Sequence, residues 1–535
     1  MVNKTNYLVI FCLAFLLKGF SQDTLIHSML PIVYISTGGQ TINADSNIVA
    51  DMGIIFNGLG EFNHVDDSLN NYDGKIAIRH RGNTSLSFPK KSYTIETQDT
   101  AGQNLNVGLI DLPEENDWVL YGPYSDKSLM RNTLMYELAR RLGWYAPRTR
   151  YCEVILDGVY QGVYVFTEKI KRDNDRLDIA TITQIDTTGD ELTGGYIILL
   201  DRYDGEGWHS LINNKIYFEY YEPDDGDILP VQKAYIRNFI NTFEAILDTM
   251  TRSNYSLLDT IIDFSSFCDH IILNELSKNI DAYRLSTYMF KDKNSNDQRL
   301  KMGPIWDFNI ALGNNFDHQL YTDSNFIYND TNVLDHALFW FKKLMDFPHF
   351  ADSCRCRWDQ LRTGALSANS IHTIIDSTYE ILQMAQARNF YRWDILGIPV
   401  WPNYYVGETY EEEVQIVKTW IDNRLAWLDE NLPGDCYIGI SEYNPLNKSP
   451  VLVSPNPFSN ELRITVKSGF IQTLQFDLFN LYGKMVYSSN TIKSLQTGQD
   501  IRIDLTGNGF TNSPYFYRIT LNGSDVNTGI IIKHQ

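Results

Sequence analysis

The sequence predicts an α+β body followed by a small all-β sandwich, and three observations carry that reading. Strand-like runs crowd the first half of the chain, while helix-period apolar stripes fill roughly 335–431. Character changes again past a proline-rich stretch near 433–455, where Pro433, Pro445, Pro450, Pro455 and Pro457 interrupt the pattern. At 535 residues the chain is too long for one core, since single cores rarely grow past about 250–300 residues. The expected layout is a signal segment over 1–21, a body over 28–435, a linker over 436–452 and a β-sandwich over 453–535.

The first segment has one early charge, Lys4, an apolar run from Tyr7 to Leu17, and then Gly19 and Ser21. That run is too short to span a bilayer, which takes about 20 residues as a helix, and it reads as a cleavable export signal. No later stretch is apolar enough to be a transmembrane helix, so no membrane span is expected. The net charge is −21, which repels nucleic acid and anionic membrane; any phosphate site therefore needs its own basic patch. Past the signal, Cys152, Cys268, Cys354, Cys356 and Cys436 show no zinc spacing. The sequence assigns them no chemistry.

The elements follow in order. Lys75–His80 and Ser92–Glu96 read as strands, and Tyr151–Leu156 and Val159–Phe166 flank Asp157-Gly158, a hairpin signal because both positions tolerate positive φ. Asp126 reads as the cap of a helix whose Leu134, Leu138 and Leu142 share a face, ended by Gly143. Gly195–Asp201 is a further strand, and Ile236 to Met250 form a core-facing helical stripe. Asp263 is placed to cap a helix over 265–277, with a strand Thr287–Lys291 beyond it. Trp340, Trp358, Trp420 and Trp427 read as packing residues. In the tail, Glu461–Lys467, Leu474–Leu478, Lys484–Tyr487, Asp500–Leu505, Tyr515–Leu521 and Thr528–Lys533 are short strands.

Three segments carry candidate chemistry, in a chain without GxxxxGK[ST], HExxH or GxSxG. The first, Arg79-His-Arg-Gly-Asn-Thr-Ser85 with Lys90 and Lys91 after it, reads as a basic turn whose backbone N–H groups could hold an anion. Alternation from the following strand places Lys91 inward with Tyr93 and Ile95. The second is Asp281, in the loop before Thr287–Lys291. The third is Gly303–Asn314, read as a strand running into a loop with Asp307 and Asn309. Two acidic loops joined by a hairpin bring two carboxylates together, one to position or deprotonate a hydroxyl and one to hold a divalent ion against phosphates.

As a set, these segments resemble the CotH family of atypical kinase-like proteins, in its secreted form. The resemblance runs through Arg81-Gly-Asn-Thr-Ser85, Pro89-Lys-Lys-Ser-Tyr93, Asn116-Asp-Trp-Val-Leu120, Asp126–Asn132, Tyr160–Lys169, Asp281-Ala-Tyr-Arg-Leu-Ser-Thr-Tyr288 and Gly303-Pro-Ile-Trp-Asp-Phe-Asn309. It implies a divergent protein-kinase-like body that uses ATP with Mg²⁺ or Mn²⁺ and transfers phosphoryl groups to Ser or Thr of a protein substrate. By motif, it makes Asp281 the catalytic-loop aspartate and Asp307 the metal aspartate. Asn309 and Ser286 stand as further metal ligands, although the family's WDxD is here Trp306-Asp-Phe-Asn309 and some relatives place Asn where this chain has Ser286. Lys91 or Lys90 becomes the phosphate-pairing lysine, with Arg81, Gly82, Asn83 and Ser85 in the nucleotide-covering loop. Glu168 is either that lysine's partner or an adenine-side residue, while Asp126 and Arg131 have structural roles open to them.

The tail resembles a type IX secretion sorting domain through Ser454-Pro-Asn-Pro-Phe-Ser-Asn460, Leu478-Phe-Asn-Leu-Tyr-Gly-Lys484 and Gly529-Ile-Ile-Ile-Lys533, with Ser513-Pro514 where a Gly is usual. It implies a partnership with that secretion machinery and a protein at the cell surface or in the medium. Two other readings of the body stand beside the kinase: a catalytically weak CotH-like module with a structural, adhesive or binding role, and a carbohydrate hydrolase with Asp281 and Asp307 as its acid/base pair. The hydrolase expects no basic loop facing the carboxylates.

Overall fold

The structure, a computed structural model, describes residues 25–436 and 451–533, apart from 203–204, 225, 252–254, 331–338, 457, 468–469, 481–483, 507–509, 512 and 523. The expected signal, 1–21, and most of the expected linker, 436–452, lie outside the described residues. The chain divides into two compact units, Met1–Asp435 and Cys436–Gln535.

In the first unit, seven strands close into a barrel. They are β1 (Ile32–Ser36), β2 (Ile48–Ile55), β3 (Tyr72–Arg81), β4 (Ser92–Gln98), β5 (Asp117–Tyr121), β6 (Thr149–Leu156) and β7 (Val159–Glu168). The order is β6-β7-β5-β4-β3-β2-β1, antiparallel throughout except for the seam, where β1 pairs parallel with β6. Period-two alternation sends Ile76 and Ile78 of β3, with Ile95, Trp118, Leu120 and Phe166 of its neighbours, into one apolar interior. The β6–β7 turn has Asp157 at φ 48° and Gly158 at φ 77°, as its sequence requires. The Asp157 carboxylate also accepts from the N–H and the hydroxyl of Thr37, both at 2.8 Å, which pins the end of β1 to this turn.

Between β5 and β6 lies α1 (Arg131–Arg141). It starts later than its sequence suggests, because Asp126 is not the capping residue: its carboxylate is buried against the Arg131 guanidinium at 2.6 Å and accepts the Arg131 N–H at 2.9 Å. Gly143, at φ 99°, follows the helix end.

A second sheet has the order β9-β10-β8-β11-β12, all antiparallel, with β8 (Tyr196–Leu200), β9 (Gly207–His209), β10 (Tyr217–Glu222), β11 (Thr287–Lys291) and β12 (Leu300–Met302). The strand expected from Gly303 ends instead at Met302, and the Asp307 segment is loop. Against this sheet pack α2 (Pro230–Asp248) and α3 (Phe264–Ser277), whose Ile236, Ile240, Phe243, Phe267 and Ile271 join Ile198, Phe218 and Met289 in one core. Asp263 caps α3 by accepting the Ser266 N–H at 2.8 Å.

Helix α3 is buried on all sides from Ser266 to Ser277. Its other face, with Ile272, Leu273 and Leu276, belongs to a second core shared with α1, α5 (Pro348–Arg362), α6 (Ala368–Arg392) and α7 (Tyr410–Asn431). A short α4 (Phe339–Met345) precedes α5 and carries the buried Trp340. Lys278, left-handed at φ 46°, ends α3 and releases the chain into the Asp281 loop.

In the second unit, β13 (Val451–Ser454), β14 (Glu461–Val466) and β18 (Asp500–Asp504) form one sheet. The other sheet joins β15 (Phe470–Phe479), β16 (Met485–Ser488), β17 (Ile492–Gln496), β19 (Pro514–Leu521) and β20 (Ser524–Ile532). Leu462, Ile464 and Ile503 of the first sheet share a core with Leu474, Phe476 and Ile519 of the second. Cys356 and Cys436 are each disulfide-bonded, while Cys152, Cys268 and Cys354 are buried free thiols.

Candidate active site

The first unit contains a cavity of about 450 Å³ where the β3–β4 turn, the ends of β7 and β8, and the Asp281 and Asp307 loops converge. The turn begins at Gly82, at φ 111°, where a Cβ would fall 1.9 Å from the Ser85 hydroxyl, so only glycine fits. Arg81, Gly82, Asn83 and Ser85 all line the cavity. The Arg81 guanidinium lies over the Trp306 ring at 5.0 Å.

The two acidic loops are built as one piece. The Asn279 side-chain amide donates to the Asp307 carbonyl at 3.1 Å, and its oxygen accepts the Asp281 N–H at 3.2 Å. Helix α1 supports the other side: Phe308 N–H donates to Asn132 at 2.6 Å, Asp307 N–H to the Tyr136 hydroxyl at 3.3 Å, and Arg131 Nε to the Ala311 carbonyl at 3.0 Å. Tyr283, Ser286 and Asp307 all take positive φ, at 68°, 48° and 62°. Such backbone is held in place only by dense surroundings, and it concentrates at functional loops.

The electrostatics follow from this convergence. Burial pushes the Asp281 carboxyl above its ordinary value; Arg284, at 3.1 Å, and Arg202 pull it back. Asp307 is pushed up to about 7, first by its depth in the protein and then by Asp281 and Asp201, with Arg81 opposing. Asp307 opens partly onto the cavity, so its depth reflects surrounding protein rather than complete enclosure. Arg202 also donates to the Asn83 side chain at 3.4 Å, tying the end of β8 to the basic turn.

Asp281, Ser286, Asp307 and Asn309 are brought together in this cavity. Lys90, Lys91 and Glu168 are not. Lys90 is buried away from it, its ammonium bonded to the Val163 carbonyl and the Asn389 side chain at 2.5 and 2.8 Å, and burial holds its pKa well below the lysine range. Lys91 donates to the Leu86 carbonyl. Alternation does not reach these lysines because β4 begins only at Ser92, and the bend over 88–90 before it does not obey strand periodicity. Glu168 is buried and takes Arg148 at 2.7 Å together with the Arg148 N–H at 2.9 Å, so its partner is an arginine of the same hairpin. Lys169, one residue on, does line the cavity, as do Asp201 and Arg202. Sequence reasoning missed all three. The available signal was that each stands within two residues of a strand's end, where a side chain is free to turn toward a cavity at the sheet end.

Among the described residues, no group of three His, Cys, Asp or Glu side chains is placed to hold a metal ion. The donor chemistry nonetheless suits a hard divalent cation. Asp201, Ser286, Asp307 and Asn309 offer oxygens to one cavity, and Asp307 is raised by neighbouring carboxylates that a cation would offset. Mg²⁺ is commonly bound by one or two carboxylates with substrate phosphates completing the sphere.

A family model described as CotH kinase protein matches residues 78–428, and a second, secretion system C-terminal sorting domain, matches 452–533. No curated protein matches the chain. Among solved structures, the Helicobacter pylori proinflammatory kinase CtkA is 12% identical, covering 63% of this chain and 93% of its own at a TM-score of 0.26. A DUF3244 family protein with an immunoglobulin-like β-sandwich, from Bacteroides vulgatus, is 23% identical over 16% of this chain and 85% of its own, at a TM-score of 0.14. Likenesses at those scores add nothing to the argument. No helix among the described residues is long and apolar enough to cross a membrane. The first match spans well over half of the sequence: the chain belongs to the CotH kinase protein family, is kinase-like in its body, and is exported to the cell surface or medium by a type IX sorting domain.

Proposed function

We propose that the body is an atypical Ser/Thr protein kinase that takes ATP and a divalent metal ion in the 450 Å³ cavity. The observation that carries this reading is the opposition, in one cavity, of Asp201, Asp281 and Asp307 to Arg81, Arg202 and Lys169. A hydrolase pair has no use for cations at that position; a polyphosphate does.

Lys169 and the basic turn hold the phosphates, with Gly82 letting the backbone come close. Asp281, held by Arg284 through one carboxylate oxygen, aligns the acceptor hydroxyl and takes its proton as the oxygen–phosphorus bond forms and the bond to the leaving diphosphate breaks. Asp307, assisted by Asp201, Asn309 and Ser286, is the anchor for the metal ion. When bound there, that ion supplies positive charge against the phosphate oxygens. Asn279 and α1 keep the two aspartates in register.

The experiment is incubation of the mature chain with labelled ATP and Mg²⁺ or Mn²⁺, beside Asp281→Asn and Asp307→Asn. Label on Ser or Thr in the wild type, lost in both variants, supports the reading. Absence of nucleotide binding at millimolar ATP overturns it.

A further inference from the structure

Helices α3 and α5 pack in step. Phe264 meets Phe350 edge-on at 5.5 Å, and further along both helices Asp269 takes the Arg357 guanidinium through two bonds of 2.8 and 2.9 Å. Between those rungs, one turn past the phenylalanines on each helix, stand Cys268 and Cys354. Both are buried in the same core, both are free, and Cys268 is the neighbour that, after burial itself, raises the Cys354 thiol most. The contacts on either side of them set the two cysteines on facing rungs of packed helices, the placement from which the close Cβ approach of a disulfide, about 3.5–4.5 Å, is reached.

We propose that Cys268 and Cys354 close into a disulfide bond in the exported protein, cross-linking α3 to α5. The sorting domain marks an exported chain, and outside the reducing cytoplasm disulfides form and persist. Cys356, on the same helix, is disulfide-bonded in the structure, so α5 already belongs to a protein that keeps such bonds.

The oxidant is an external disulfide, protein-bound or of low molecular weight. One cysteine thiolate attacks an oxidant sulfur to form a mixed disulfide, and the second thiolate displaces it. Two protons leave the cysteines and two electrons leave with the oxidant as its dithiol. Burial holds the Cys354 thiol well above its ordinary pKa, which makes the packed pair a poor nucleophile. Closure therefore belongs to folding, before α3 and α5 seal over the sulfurs. The covalent loop runs from 268 to 354 and contains both Asp281 and Asp307, so the bond clips together the base of the segment that carries the acidic loops. This inference does not depend on the phosphotransfer reading.

The test is disulfide mapping of the full exported chain, recovered after translocation, denatured without reductant, alkylated and digested. The expected result is a peptide joining Cys268 to Cys354, with Cys152 alkylated. Alkylation of most Cys268 and Cys354, or pairing of either with another cysteine, overturns the proposal. In Cys354→Ser, Cys268 should become alkylated; if it stays protected, the assignment is equally wrong. Should that variant fail to fold, the wild-type map decides alone.

Discussion

Asn279 donates its side-chain amide to the backbone carbonyl of Asp307 at 3.1 Å, and so one uncharged residue sets the spacing of two acidic loops that are separate in sequence. The same side chain accepts the Asp281 N–H. Removing it leaves both carboxylates present and their relative position loose.

Asn279→Ala is expected to lower the transfer rate by about tenfold to a hundredfold, the loss that follows from about 1–3 kcal/mol of misplaced hydrogen bonding. Nucleotide affinity should change by less than about threefold, because the phosphate-facing cations are untouched. Rate and affinity measured on the same preparation separate the two. A loss confined to affinity would place Asn279 on the nucleotide side instead.

Lys169 and Lys91 give opposite expectations. Lys169→Met should weaken ATP binding by about tenfold or more, since a cavity-lining cation, held at rest by a 3.4 Å pairing with Asp117, is lost from a chain of net charge −21. Lys91→Met should leave it within about twofold, because the Lys91 ammonium is spent on the Leu86 carbonyl. Titration calorimetry with ATP and Mg²⁺ decides, and equal effects from the two substitutions would contradict this cavity assignment.

His270 makes the body acid-sensitive. It lies in α3 between Tyr283 and Phe341, with ring centroids at 5.9 and 5.3 Å, and neither ring nitrogen has a hydrogen-bond partner. Burial pushes its pKa down to about 3. The unfolded chain protonates it near 6.5, so between those values the unfolded state binds the extra proton. Its contribution is whole above about pH 6.5 and declines as pH falls toward 3, by about 1.4 kcal/mol per pH unit. Denaturant unfolding at pH 7 and pH 5 should show His270→Phe losing about 2 kcal/mol less than wild type across that interval. Parallel losses would mean the folded protein accepts the proton after all.

The buried Glu275 carboxylate accepts from the Tyr283 hydroxyl at 3.0 Å and the N–H groups of Ile327 and Tyr328 at 2.9 and 2.8 Å, and it pairs with Arg424 at 3.4 Å. Burial raises Glu275, and it lowers Arg424 to about 10. Arg424→Met strands a buried carboxylate and should cost about 3–5 kcal/mol of stability. Adding Glu275→Gln should recover part of that loss in a double-mutant cycle. Strict additivity would show the pair to be uncoupled.

Local chemistry made some elements legible in the sequence. Asp263 caps α3 as its position implies, Asp157-Gly158 turns as its residue types require, and Thr287–Lys291 keeps its bounds. Asp281 and Asp307 are legible because loop carboxylates flanking a hairpin have few places to go. What the sequence hid depends on partners far along the chain. Lys169, Asp201 and Arg202 face the cavity only because β7 and β8 end there, and Glu168 finds Arg148 only because β6 and β7 pair. Lys90 rather than Lys91 is the buried lysine because the strand, and its alternation with it, begins only at Ser92.

The parallel seam between β1 and β6 sets a timetable for the barrel. Most of its other pairs join strands that are near neighbours in the chain, so those can zip early, whereas the seam must bring Ile32–Ile35 to Glu153–Leu156. Loop-closure entropy over so long a separation has to be met before the contact rewards it, and such pairings are intrinsically slow. Until they form, β1 and β6 each present an unpaired edge to other chains. The Thr37–Asp157 clasp sits at the end of this joint, where it fastens the seam once the two strands have met.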